Sequence, residues 1–227
     1  MDDLRSRLAA VDARIADAAR AAGRDPSSIT RIVVTKFHPA TLVADLHRLG
    51  VRDVGENRQQ ELTAKSAQLS ALTDLRWHFI GQAQTKKARA IRTAAGVVHS
   101  VDRARLADAL EAAGTDAGVL DVLLQVNLTA DPDRGGVAPE ELERLAEHVA
   151  GCRTLRVRGI MAVAPLDEPA APAFARLAGY ARRLRAVVPD ADWISAGMTA
   201  DFVEAIAAGA THLRIGSAIT GSRPVRI

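Results

Sequence analysis

Ile32-Val33-Val34-Thr35-Lys36-Phe37-His38-Pro39 decides how the rest of the chain is read. The first four residues are β-branched and nearly all apolar, the mark of a short buried strand, and the strand stops at Lys36. Pro39 can open a helix, and Leu42, Val43, Leu46 and Leu49 follow at helical spacing. A buried strand that ends on a lysine and turns at once into a helix is one unit of a strand–helix alternation.

Outward from that unit the pattern continues in both directions. Upstream, Leu4, Leu8, Val11, Ile15 and Ala19 predict an amphipathic helix that ends near Gly23, with a turn at Asp25-Pro26. Downstream, strands are predicted at 53–55, 77–80, 97–99, 122–126, 159–163, 193–195 and 212–215. Helices are predicted after Asn57, over 85–93 and 103–113, from near Pro139, and over 171–187 and 199–208. The loop Asp131-Pro132-Asp133-Arg134-Gly135-Gly136 is polar. Eight strands alternating with helices imply a parallel sheet covered on both faces. In 227 residues, that predicts an α/β fold, a single (β/α)8 TIM barrel with an extra N-terminal helix. An open doubly wound sheet is the runner-up. The extra helix is expected to close the barrel base. No low-complexity stretch, Pro-rich linker or charge block divides the chain, so residues 1–227 are read as one domain.

Composition narrows the function. Apolar residues make up 48% of the chain and aromatics only 3%, so the core is aliphatic. The net charge of +3 and pI near 9.5 come from a small basic excess spread along the chain. This favours ordinary solubility over nucleic-acid binding. Lys86, Lys87, Arg89 and Arg92 are read as a solvated helix face. Cys152 is the single cysteine, which excludes an intrachain disulfide, fits a reducing compartment and suggests a buried structural thiol. There is no signal-type N-terminus and no apolar run of membrane-spanning length. A soluble, cytoplasmic protein without a membrane partner is expected.

In a β/α barrel the functional site lies at the C-terminal ends of the strands. That rim can be read off the sequence. Lys36 ends the first strand, Asn57 follows the second, Gln82 the third, and Asn127 ends the fifth. Ser195, Gly197, Met198 and Thr199 follow the seventh, and Arg214, Gly216 and Ser217 close the eighth. Lys36 leaves an apolar wall, where lost hydration favours the neutral amine and makes it a nucleophile for aldehydes. A lysine snorkelling into solvent is the bland alternative. Ser195-Ala196-Gly197-Met198-Thr199 and Arg214-Ile215-Gly216-Ser217 can form a phosphate cup, the recurrent anion site of this fold. Thr199 acting only as a helix N-cap is the alternative there. Arg214 cannot discard its charge and needs an acceptor: a ring nitrogen, a phosphate or an acid.

Other candidates are weaker. The six histidines show no metal-ligand spacing, and His78 reads as a satisfied core residue. Asp131 and Asp133 lack the further ligands of a calcium loop. Neither a P-loop nor a nucleophile elbow is present.

Eight segments, in register with the predicted strands, resemble the pyridoxal phosphate homeostasis protein family. They are Val33-Val34-Thr35-Lys36, Asp53-Val54-Gly55-Glu56-Asn57, Trp77-His78-Phe79-Ile80-Gly81, Val98-His99-Ser100-Val101-Asp102, Leu124-Gln125-Val126-Asn127, Arg158-Gly159-Ile160-Met161-Ala162, Ser195-Ala196-Gly197-Met198-Thr199 and Arg214-Ile215-Gly216-Ser217-Ala218-Ile219. The family is similar to the N-terminal barrel of alanine racemase and of fold-type III decarboxylases. The resemblance implies that Lys36 carries pyridoxal 5'-phosphate as a Schiff base. It implies that Ser195, Met198, Thr199, Gly216 and Ser217 surround the phosphate, that Arg214 faces the pyridine nitrogen and that Asn57 lines the ring pocket. The chain departs from the family pattern at Phe37, at Gln82 through Lys87, at Thr199 and at Thr220.

Two classes of function remain. One is a carrier that supplies cofactor to apo-enzymes and turns nothing over. The other is an amino-acid racemase or decarboxylase. A two-base racemase needs an acid/base on each face of the substrate carbon. The usual opposing tyrosine belongs to a second, β-rich domain, the chain stops at Ile227, and Tyr180 falls on a predicted outer helix. An arginine at the ring nitrogen also weakens the electron sink. The carrier is therefore favoured, and a monomer is expected. A Schiff-base aldolase acting on a sugar phosphate would present a similar rim.

Overall fold

A computed structural model of the chain describes residues 2–114, 118–131 and 133–222. Pro132 of the polar loop and Ile227 lie outside the described residues. The chain order is α1 (Asp2–Ala21), β1 (Thr30–Val34), α2 (Ala40–Arg48), β2 (Asp53–Glu56), α3 (Gln59–Gln68), β3 (Arg76–Phe79), α4 (Ala88–Ala94), β4 (Val97–Val101), α5 (Ala104–Ala112), β5 (Leu120–Gln125), α6 (Leu142–Ala150), β6 (Leu155–Met161), α7 (Ala170–Val187), β7 (Trp193–Ser195), α8 (Phe202–Ala207), β8 (His212–Ile215) and α9 (Ser217–Thr220).

The eight strands pair in parallel in sequence order. β1 closes on β8 with Ile32 opposite Arg214, so the sheet is a closed barrel and the open-sheet alternative falls. Most strand residues are buried, as expected where helices cover a parallel sheet. One large core lies between barrel and helices. A second, small cluster of Val97, Leu123 and Met161, with Trp193 against it, stands apart.

The N-terminal helix is where the periodicity puts it, and Leu4, Leu8, Val11, Ile15 and Ala19 are all buried. Its position corrects the expectation of a cap on the barrel base. It packs against α8 and α9 in the outer layer, and Arg7 Nε donates to the carbonyl of Ile219 at 2.7 Å. The physical reason is the length of α9. Four residues cannot cover the seam between β8 and β1, and a 20-residue helix supplies the missing stave.

Three local expectations also change. The helix predicted over 199–208 begins only at Phe202. Thr199 is not its N-cap: it lies in a turn whose Met198 N–H donates to Asp201 Oδ1 at 2.6 Å. The stretch 85–93 divides into a 3-10 turn over Thr85–Lys87 followed by α4. Arg92 leaves the expected solvated face altogether. It is buried and donates to the carbonyls of Leu110, Gly118 and Thr154, closing the junction behind α5. Among the described residues no helix is long and apolar enough to cross a membrane.

Candidate functional site

At the C-terminal ends of the strands lies a cavity of about 490 Å³. Its lining includes Lys36, His38, Asn57, Ile80, Val163, Met198, Thr199, Arg214, Gly216, Ser217 and Thr220. Seven of the eight residues singled out for the site thus share one concavity, and Ser195 is the exception. β1 delivers Lys36. Three buried residues, Ile32, Val33 and Val34, anchor the strand, and the lysine emerges half-buried two positions beyond it. Among the described residues, the Lys36 ammonium takes no hydrogen bond or ion pair, and it lies over the Phe37 ring, 6.0 Å from its centroid. An amine held in a cavity without a counterion is left available to a ligand.

The chain kinks immediately after the lysine. Phe37 has φ 70°, a left-handed conformation that is strained for a residue with a side chain. A buried polar cluster holds it there. The Phe37 N–H donates to Glu61 Oε2 at 2.7 Å, and Lys65 Nζ donates to the same carboxylate oxygen at 3.3 Å. Lys65 also donates to the carbonyl of Thr35 at 2.9 Å and to Glu56 Oε1 at 2.7 Å, while the Thr35 hydroxyl donates to that Glu56 oxygen at 2.6 Å. Burial pushes the Glu56 carboxyl above the usual range, against the Lys65 and Thr35 hydrogen bonds that pull it down. The residues on either side of Lys36 are therefore fixed from beneath by α3 and β2. Helical periodicity gave no warning of Lys65, since a lysine on an outer helix is normally solvated.

On the opposite wall, Arg214 is buried on β8. Its guanidinium donates to the carbonyls of Ser195 and Ala162 and to Ser195 Oγ, all at 2.8 Å. Those bonds engage three of its five N–H groups, so the side chain is held in place with donors to spare. Burial lowers its pKa to about 10, while Asp201 acts the other way, so it remains a cation at neutral pH. None of its three acceptors is an acid. Ser195 is fully buried, tied both to Arg214 and to His99, and is not among the cavity's lining residues.

The loops after β7 and β8 supply the remaining wall. Among the described residues, chain neighbours aside, the nearest atom to a Cβ built on Gly216 is Val34 Cβ at 3.7 Å, so packing does not impose the glycine, which leaves its side of the cavity open. Asn57 enters from the end of β2, and Gly81 secures it. A Cβ at Gly81 would sit 2.0 Å from the Asn57 carbonyl oxygen. Gly81→Ala is expected to displace Asn57, lower stability by at least about 1–3 kcal/mol, and weaken whatever ligand the cavity holds. Urea unfolding and a ligand titration on the same preparation check it.

Residues 6–224 match the alanine racemase N-terminal domain family. The pyridoxal phosphate homeostasis protein of Pseudomonas aeruginosa is 43% identical over 228 residues, covering 98% of this chain and 97% of that one. The chain belongs to the pyridoxal phosphate homeostasis protein family. The Escherichia coli member is 37% identical over 234 residues and 98% of both chains. The solved structure of PipY from Synechococcus elongatus with PLP bound superposes with a TM-score of 0.84 at 33% identity, over 96% of this chain and 100% of that one. Alanine racemase from Corynebacterium glutamicum, at 17% identity and TM-score 0.68 over 99% of this chain and 62% of its own, bears on the fold alone.

Several polar residues singled out in the sequence stand outside the cavity. Asn127 organises its own loop, donating to the carbonyls of Asp131 and Arg134 and accepting from Thr129. Gln82 and Lys87 line an adjoining cavity of about 550 Å³ that shares Asn57 with the first. Tyr180 is half-buried on α7 beneath Arg183. Cys152 is half-buried rather than buried. No metal-binding cluster occurs among the described residues.

Proposed function

We propose that the protein holds pyridoxal 5'-phosphate as a Schiff base on Lys36 and supplies it to the cell without turnover of its own. The observation that carries this reading is the unpaired Lys36 amine in one cavity with Met198, Thr199, Gly216, Ser217 and Arg214. When bound, the cofactor supplies an aldehyde for the lysine and, in enzymes, an electron sink. The residues present suit it. The open side at Gly216 and the hydroxyls of Thr199 and Ser217 accommodate a phosphate, and the remaining Arg214 N–H groups can donate to a ring nitrogen. A permanent cation donates to that nitrogen without protonating it, which keeps the sink weak. Asn57 lines the ring side.

The relatives' names and the PLP bound in PipY support the same reading. A two-base racemase needs a second acid/base across the cavity. The other ionisable side chains lining it are His38 and Arg214, and His38 sits two residues from Lys36 on the same turn. The recipients would be PLP-dependent apo-enzymes, and the protein would act in the cytoplasm as a monomer.

Titration with pyridoxal phosphate is expected to raise an absorbance band near the visible edge. Borohydride should remove the band and leave the label on the Lys36 peptide. Loaded protein should restore activity to a PLP-dependent apo-enzyme. A protein that stays colourless refutes the cofactor and revives the aldolase alternative. Racemisation or decarboxylation of amino acids at ordinary enzyme rates, about 1–1,000 s⁻¹, refutes the carrier.

A further inference from the structure

The inside of a β/α barrel is normally filled by branched apolar side chains. Beside the small Val97–Leu123–Met161 cluster, this barrel instead carries a file of polar ones. Asp53 Oδ1 lies 2.9 Å from His78 Nε2, His78 Nδ1 lies 2.9 Å from His99 Nε2, and His99 Nδ1 lies 2.9 Å from Ser195 Oγ. Ser195 Oγ then accepts from Arg214 at 2.8 Å. Asp53 is the first residue of β2, at the end of the barrel remote from the cavity. Four consecutive bonds therefore connect the two ends of the barrel.

The donors in this file can be assigned from the Asp53 end. Burial works against the Asp53 charge, but the His78 hydrogen bond and the nearby Arg76 guanidinium hold its carboxyl below the usual range. An ionised carboxylate only accepts, so His78 Nε2 donates. Burial lowers the pKa of His78, and it holds His99 well below the usual histidine value, with His78 and Arg214 adding to the effect. Both rings are neutral, so each donates from one nitrogen and accepts at the other. His78 Nδ1 then accepts from His99 Nε2, His99 Nδ1 accepts from the Ser195 hydroxyl, and the serine oxygen is left to accept from Arg214. Every donor points the same way, from the cation to the anion, the arrangement in which successive hydrogen bonds strengthen one another. Neighbouring groups are already engaged. Arg76 pairs with Asp121 at 2.6 Å, His212 bonds to the Thr211 hydroxyl at 2.8 Å, and Asp201 accepts from Met198.

We propose that Asp53, His78, His99 and Ser195 form a one-way hydrogen-bond relay that positions Arg214 against the cofactor ring and links its charge to a carboxylate at the far end of the barrel. The relay assigns Ser195 a role beneath the ligand, and makes Asp53 and the two histidines positioning residues. It rests on the reading that Arg214 meets the cofactor.

The test begins with the cofactor-free protein. Nitrogen-15 spectra of its histidine side chains at neutral pH should show His78 and His99 both protonated at Nε2 and bare at Nδ1. The opposite tautomer, or an imidazolium, at either residue overturns the relay. Next, Asp53→Asn replaces the fixed acceptor with an amide that can also donate. It should mix the His99 tautomers, shift the absorbance of the Lys36-bound cofactor, and weaken pyridoxal phosphate binding about tenfold. Unchanged spectra and affinity in a folded Asp53→Asn protein overturn the positioning role. If wild-type Lys36 takes up no cofactor, the functional reading fails and the positioning role fails with it, while the tautomers still decide whether the file of bonds exists.

Discussion

Lys36→Ala is expected to abolish the imine band and the borohydride-fixed label on the protein completely while leaving the protein folded. The change removes the amine, and without it no imine can form with the cofactor aldehyde. Stability should move by no more than about 0.5 kcal/mol, because Lys36 makes no hydrogen bond or ion pair among the described residues. Reversible binding of the free aldehyde should survive, since Met198, Thr199, Gly216, Ser217 and Arg214 remain in place. Lys36→Arg separates charge from nucleophilicity: it keeps the cation, and it too should show no band. The decisive measurement is peptide mapping after borohydride treatment of all three proteins. Label found on Lys65, Lys86 or Lys87 in the wild type would remove Lys36 from its role.

Lys65→Met carries the largest expected loss of stability, about 3–5 kcal/mol, because breaking one side of a buried ion pair leaves the other side unpaired. For a chain of this size that is a fall in Tm of roughly 10 °C. Glu56 is fully buried, and its Oε2 has no partner among the described residues. The Thr35 carbonyl would lose its donor as well. Glu56→Gln combined with Lys65→Met should recover much of the loss, since the unpaired charge is then gone. The pH dependence follows from the raised Glu56 pKa. A carboxyl raised on folding stabilises fully below its unfolded pKa, and that contribution is lost as pH rises through the folded value. Glu56→Gln should therefore be less damaging at pH 7 than at pH 4. Thermal scans of the single and double variants at both pH values check the whole set. A Lys65→Met protein as stable as wild type would mean that Lys36 and Phe37 are not held from beneath.

The barrel was legible because its strands are buried on both faces and read as short apolar runs between helical periodicities. Lys36, Asn57, Met198, Thr199, Arg214, Gly216 and Ser217 were legible because strand ends map onto one rim. What periodicity could not supply was the depth of a polar side chain. Lys65 and Arg92 sit on outer helices yet turn inward, where carbonyls and carboxylates of distant segments await them. Ser195 ends β7 beside the expected cup, but its hydroxyl lies under Arg214 instead of in the cavity. His78 was correctly read as a satisfied core histidine, although nothing local showed that His99 and Asp53 would satisfy it. The start of α8 was misplaced because Thr199 and Asp201 carry the same capping chemistry, and only Asp201 stands next to the helix.

The joint between α1 and the last turn sets the order of events during synthesis. Arg7 meets Ile219 across 212 positions of sequence. During synthesis α1 therefore lacks its main packing partners, α8 and α9, until some 200 further residues have followed it. Contacts this distant slow folding, and they leave apolar surface uncovered in the meantime. Leu4, Leu8, Val11 and Ile15 form such a stripe. They stay uncovered until α8 and α9 are in place, and the seam they finally seal is the last part of the barrel to become watertight.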